Sequence, residues 1–234
     1  MIELIQNYWL YFLVGQYPQG PLGGLVLTLL LGVSALLLAL PVGLVLGLAR
    51  TSHRRVLRAP IGALVYIVRG TPLLMVVFWA YFFLPALTGH ETSQFSTMLA
   101  ALVIFNGAYL AEIVRAGIEG VPRGQVECAR ALGLNYWQSM RHVILPQALR
   151  NMLPSLVGQL VTTMKETSLG YIIGLSEVSF IASQINAQVI TQPAQVYLIL
   201  AVTYFVLCFG LARLGRVLEN RLSRTAAGSL AEAR

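Results

Sequence analysis

The sequence contains no aspartate, a single lysine and only three histidines. Each scarcity removes a class of function. A phosphate-binding loop of the Gly-x4-Gly-Lys-Ser/Thr type needs its lysine, and the one present, Lys165, follows Thr163-Met164. The chain is therefore not an ATP-hydrolysing subunit of that type. His53, His90 and His142 are scattered, with no His-Glu-x-x-His pair and no nucleophile elbow, so neither a catalytic nor a metal-binding constellation is expected. Cys128, in a basic segment, and Cys208, in an apolar run, have no metal-ligand spacing and make no disulfide pattern. Charge is scarce too. Charged residues make up 11% of the chain and apolar ones 57%, with a mean hydropathy of +0.73, which excludes an ordinary soluble domain. The opening Met1-Ile2-Glu3-Leu4-Ile5 lacks the positive region of a secretory signal, so no cleavage is expected. Internal repeats and low-complexity linkers are absent.

What the chain does have is long apolar runs. Five are long enough to cross a bilayer, which takes about 20 residues: Leu22–Leu48, Ile61–Leu84, Phe95–Ile113, Ala148–Leu169 and Val196–Leu214. The fourth is interrupted by Asn151, Gln159 and the Lys165-Glu166 pair. A polar helix of this kind is expected to face a bundle interior or cavity rather than lipid. All but two of the sixteen Lys and Arg residues cluster after the first span, between the third and fourth spans and on into the first turn of the fourth (Arg150), or at the end of the fifth (Arg213) and beyond it. With alternating helices those places share one side, and the opposite side carries no cation. The positive-inside rule then puts the N-terminus outside (periplasmic) and the C-terminus in the cytoplasm. The formal charge of +7 is thus a topology signal rather than a nucleic-acid footprint, and it also suits anionic membrane lipid.

The expected fold is an all-α membrane protein of about five transmembrane helices. Residues 1–20, with Tyr8, Trp9, Tyr11, Phe12 and Tyr17, read as an outer interfacial segment. A sixth span there is disfavoured, because Glu3, Gln6, Asn7 and Gln16 leave only about ten apolar residues together. Residues 21–222 form the membrane domain, and 223–234 a flexible cytoplasmic tail.

Between the third and fourth spans, Pro122-Arg123-Gly124 opens a helix, Gln125–Leu132 favours one, and Gly133 stops it. A second amphipathic piece, Tyr136–Ile144, is expected to end at Leu145-Pro146. Here the residues carry a resemblance. Glu127-Cys128-Ala129, Gly133 six positions after the glutamate, and Val143-Ile144-Leu145-Pro146 resemble the EAA loop (residues 123–146 here) of ABC-importer permeases. Cys128 stands for the first alanine and Val143 for an isoleucine. "RGTPLL" (69–74), "AYLAEIVRAGI" (108–118), "ILPQALR" (144–150) and "KETSL" (165–169) are similar to the polar amino-acid branch of that family, and the likeness covers roughly residues 20–222.

The resemblance implies a permease subunit in a bacterial inner membrane, paired with a second permease (the same chain or a paralogue) and with two ABC ATPase subunits. Those ATPases would bind ATP and magnesium; no cofactor is expected in this chain. A periplasmic binding protein would deliver the amino acid. The loop, on the basic face, would sit in a cleft of the ATPase as a coupling helix, with Glu127, Cys128, Ala129, Gly133, Leu145 and Pro146 as its coupling residues. Glu127 is the residue expected to make a charge contact there.

Arg69 and Lys165 are the two cations that fall deep inside spans, away from the basic ends where Arg150 and Arg213 lie. Either suits a substrate carboxylate, while Glu112 or Glu166 suits an amino group; Thr71 and Ser168 complete the candidate pathway. Gly70 and Pro72 loosen the helix beside Arg69 and free polar backbone. Neighbours on a helix point about 100° apart, so Lys165 and Glu166 are expected to find separate partners: Glu166 a cation such as Arg69, Lys165 either Glu112 or the partner subunit. Asn106, Tyr109, Glu112 and Arg115 recur at three-residue spacing, as an inward polar row would. The outer stretch Gly174–Gln195 reads as a polar loop or a partly inserted helix. Glutamate or aspartate heads the candidate substrates. The rival classes are a self-contained secondary transporter or channel for a small anionic solute, and a membrane sensor or scaffold.

Overall fold

The computed structural model describes residues 2–52 and 54–231, with side chains for 4–52 and 54–219. His53 and the last three residues of the expected tail lie outside the described residues. The described residues form helices, the apolar runs and the segments between them alike: α1 (Ile2–Val14), α2 (Gly24–Arg50), α3 (Arg55–Gly70), α4 (Leu73–Thr88), α5 (Gln94–Glu119), α6 (Arg123–Ala131), α7 (Tyr136–Ser139), α8 (Leu145–Glu166), α9 (Val178–Gln188) and α10 (Pro193–Ala231). A π-helical turn (Met140–Ile144) joins α7 to α8, and a 3-10 helix (Thr167–Ile173) follows α8. Among the described residues there is no β-strand.

By length and composition α2, α5 and the Pro193–Glu219 part of α10 suit a membrane crossing, and α3 with α4 adds a fourth if that bent pair counts as one span. An unbroken helix over Ile61–Leu84 is not what forms. Pro72, at φ −59 and ψ 136, sits outside the helices as the cap of α4. Its ring excludes Thr71 from helical backbone and it has no N–H to continue α3. Helix α8 has the length of a span, but Arg150, Asn151, Gln159, Lys165 and Glu166 leave it too polar for that set. Leu145-Pro146 corrects another expectation: the helix does not end there but runs on as α8. The π turn accounts for this. Leu145 N–H reaches back to Met140 O, and the widened turn changes the bonding register just before a residue with no donor.

The residues group into two compact units. The first holds the chain up to Ala39, Thr71–Asn106 and Leu160–Gly210. Its core combines Leu4 and Phe12 of α1 with Val178, Ile181, Ala182 and Ile185 of α9 and Val196 of α10. The α9 positions recur at three and four residues, the spacing of one buried helical face. The aromatic N-terminal segment is therefore a helix packed on α9 through Leu4, Tyr8, Tyr11 and Phe12. Gly24 makes the entry to α2 possible. It has φ +61, and a Cβ there would lie 2.4 Å from Phe12 O, so only glycine fits.

The second unit holds Leu40–Gly70, Gly107–Gln159 and the chain from Leu211 onward. In it Val65 of α3 packs on Ala108 and Ala111 of α5. A larger cluster joins Val114 and Val121 to Met140, Ile144, Ala148 and Met152.

Candidate functional site

Four sets of polar residues stand out: one in the 123–146 segment, one around Glu112 in the second unit, and two, around Glu166 and Glu177, in the first. In the segment, Pro122 caps α6, and Gly133 takes the left-handed conformation at φ +78 that ends it. Asn135 then starts α7 with a reciprocal cap: its Oδ1 accepts from Gln138 N at 2.9 Å, and Gln138 Oε1 accepts from Asn135 N at 2.9 Å. The hairpin is anchored by buried Ala129, Met140 and Ile144 and by partly buried Val126 and Leu145. Its other side is bare: Glu127, Cys128, Gly133 and Pro146 are exposed. So are Leu132 and Trp137, 80% and 76% accessible. Two large apolar side chains at the tip of a charged hairpin suit a protein partner more than water. Neither belongs to the EAA spacing read from the sequence. Their signal was available, as apolar residues flanking a helix-stopping glycine.

In the second unit Glu112 is the centre of an arginine cluster. Arg50 and Arg115 both bond its carboxylate, Arg115 Nε donating to Oε1 at 3.1 Å. Arg69 approaches Oε2 only to 3.7 Å, and its guanidinium lies over the Tyr109 ring, 5.0 Å from the centroid. Arg115 also reaches Glu119. Glu112 thus pairs with Arg50, Arg69 and Arg115 rather than with Lys165, and Arg69 pairs with Glu112 rather than with Glu166.

In the first unit Glu166 Oε2 accepts from Asn106 Nδ2 at 3.2 Å, and Asn106 Oδ1 accepts from Thr163 Oγ1 at 2.6 Å. Asn106 and Thr163 are completely buried and Glu166 is half-buried. Lys165, by contrast, is exposed, and among the described residues it enters no ion pair. Ser168 Oγ donates back to Lys165 O at 2.7 Å. Thr71 is half-buried beside the α3–α4 break. The two adjacent charges do diverge: one turns inward onto a buried amide, the other outward.

The residue that sequence reasoning passed over is Glu177, read as part of a polar loop. It is completely buried. Its carboxylate accepts from Ser179 N and Phe180 N at 2.9 Å, capping α9, and from Tyr204 Oη at 3.1 Å. Burial pushes this carboxyl up to about 7, against those donors, which favour the charged form. The acid just ahead of an apolar helical run was the available signal. Among the described residues no group of His, Cys, Asp and Glu could hold a metal ion.

A family described as binding-protein-dependent transport system inner membrane component matches residues 39–224. The chain is 35% identical to the inner membrane amino-acid ABC transporter permease protein YhdY of Escherichia coli, over 86% of this chain and 56% of that one, so it spans little more than half of that relative. It is also 35% identical to the probable glutamine ABC transporter permease protein GlnP of Bacillus subtilis, over 89% of this chain and 98% of that one. Among solved structures it is similar to the crystal structure of an amino acid ABC transporter with histidines, with a TM-score of 0.78 and 33% identity over 85% of this chain and 92% of that chain.

Proposed function

Since this chain belongs to the family of binding-protein-dependent transport system inner membrane components, we propose that it is the permease subunit of an ATP-driven importer for a polar amino acid. It works in a bacterial inner membrane with a second permease, two ATPase subunits and an extracytoplasmic binding protein. Its N-terminus lies outside, and α8 and the broken α3–α4 pair complete five crossings. The observation that carries the reading is the 123–146 hairpin, which combines the EAA spacing with an exposed Glu127, a left-handed Gly133 and a bare apolar tip. A glycine at φ +78 sets the angle between α6 and α7, and a side chain there strains it.

The test is uptake by the assembled complex in proteoliposomes. Accumulation is expected to require ATP, the ATPase subunits and the binding protein. Ion-driven uptake by this chain without an ATPase would establish the secondary-transporter reading instead. Glu127→Ala combined with Gly133→Val is expected to leave ATP hydrolysis running while uptake falls about tenfold or more, since left-handed strain alone costs about 1–2 kcal/mol. Normal uptake by an assembled double variant would remove the coupling role.

For the substrate, relatives are named for glutamine, arginine, glutamate with aspartate, and cystine. All carry an α-carboxylate. An exposed lysine within the membrane, with no ion-pair partner among the described residues, supports recognition of that group by Lys165, with Glu166 and Ser168 beside it. Glutamate or aspartate heads the candidates, in keeping with relatives named for them and with the likeness to the polar amino-acid branch. Lys165→Ala is expected to raise the KM for uptake by about 10- to 100-fold, the worth of one charge-assisted contact, without loss of assembled complex. An unchanged KM would take Lys165 out of the pathway, and competition among the four amino-acid classes ranks the substrate.

A further inference from the structure

Helix α3 is held at one end only. Val65 is buried, and Ile61 and Val68 pack beside it, whereas every residue from Arg54 to Pro60 is exposed. The first turn and a half therefore projects about 9 Å beyond its anchorage. The projecting end is divided by charge. Arg54, Arg55 and Arg58 fall within an arc of about 100°, and Val56 and Leu57 lie on the other side. Val56 is 85% and Leu57 46% accessible. Among the described residues none of the three arginines enters an ion pair, and no acidic residue occurs between Thr51 and Gly70. The patch follows directly after Arg50, the last residue of α2, whose length and composition suit a membrane crossing.

We propose that Arg54, Arg55 and Arg58 form a binding site for the phosphate headgroup of an anionic phospholipid, with Val56 and Leu57 seated beside its acyl chains. Three guanidiniums with no ion-pair partner among the described residues call for a polyanion or several phosphates. The apolar side chains between them favour a bilayer over the acidic face of a soluble protein, because an amphipathic helix end at the interface uses both kinds of contact at once. The position just beyond a span puts the charges at headgroup depth. The site rests on the membrane reading of this chain but not on its transport activity, which wild-type uptake tests separately.

The purified, assembled complex is exposed to phosphatidylglycerol or to phosphatidylcholine, and retained lipid is counted by native mass spectrometry. Wild-type complex is expected to prefer phosphatidylglycerol, and R54Q/R55Q/R58Q to lower its apparent affinity by a factor on the order of 100, from about 1 kcal/mol per arginine near the surface. R54K/R55K/R58K should keep most of the preference. Added salt should erode it in the unsubstituted complex, which reads the same charges without any substitution. An unchanged preference in the glutamine variant would overturn the site. So would an equal loss in R213Q/R216Q, which would make the effect one of total charge. Lost ATPase subunits with unchanged lipid retention would assign the patch to a protein partner instead.

Discussion

Replacing Gly43 by leucine is expected to abolish recovery of folded permease. In the second unit a Cβ at Gly43 would lie 2.4 Å from Leu110 Cβ, 3.1 Å from Leu110 C and 3.2 Å from Ala111 N. Two of those atoms are backbone, so no change of rotamer relieves the clash. Gly47, four residues on, is as tight: its Cβ would lie 2.6 Å from Val114 Cβ and 2.9 Å from Ala111 O. The pair forms a Gly-x3-Gly stripe that lets α2 lie directly against α5, the packing that stands in for the hydrophobic effect where the surroundings are apolar. Overpacking a tight site by a few carbons costs about 1–3 kcal/mol or more, against a total stability of about 5–15 kcal/mol. A whole leucine against backbone exceeds the usual overpacking. The measurement is the yield and thermal midpoint of detergent-purified complex. Gly62→Ala is the control: nothing lies within 4 Å of a Cβ there, and alanine in a helix should gain about 0.5–1 kcal/mol. A Gly43→Leu protein with an unchanged midpoint would show that α2 and α5 are not so packed.

The second large effect should come from Glu177 and should depend on pH. Its carboxyl titrates near 7 in the folded chain, above the ordinary value of 4.5. A raised folded value means that the native state holds the proton more tightly than the unfolded state does. The resulting stability is full below about pH 4.5 and is lost as pH rises through about 7, a change on the order of 3 kcal/mol. Glu177→Gln keeps a side-chain acceptor for Ser179 N or Phe180 N and cannot ionise. It should flatten the slope of thermal midpoint against pH between about pH 5 and about pH 8. Glu177→Leu should lower the midpoint at every pH, because it leaves two N–H groups of α9 without their acceptor, at about 1–3 kcal/mol for each buried orphan, while the Tyr204 hydroxyl keeps Ser179 Oγ at 3.2 Å. An unaltered slope in Glu177→Gln would mean that another group titrates.

These two sites differ in how far the sequence revealed them. The Gly-x3-Gly spacing of Gly43 and Gly47 is visible in any reading, but which helix it meets is not. Glu177 could be recognised as an acid ahead of an apolar run. Its complete burial depends on Gly24, Gly170 and Tyr204, all distant from it or outside its helix, closing around it, which local composition does not report. The α3–α4 break falls between. Gly70 and Pro72 signalled loosened backbone, yet an apolar run of sufficient length on both sides reads as one span until the backbone is placed. The charge pairs were the least legible. Glu112 collects Arg50, Arg69 and Arg115 from three helices, and Glu166 turns to Asn106 rather than to a cation. Helical periodicity says which residues share a face, not which faces meet.

By itself, the sequence determined the membrane class, the distribution of cations along the chain and the EAA spacing from Glu127 to Pro146. Each is a one-dimensional property, a matter of run length, charge and interval, and the physics that reads it is correspondingly local: bilayer thickness, loop charge and helical repeat. Only the tertiary structure decided that Glu177 is buried, that Leu132 and Trp137 are bare, and that Arg54, Arg55 and Arg58 project with no ion-pair partner among the described residues. Those outcomes rest on which side chains exclude solvent from one another across tens of residues. Burial and ion pairing follow from close approach in space, and no interval along the chain encodes that approach.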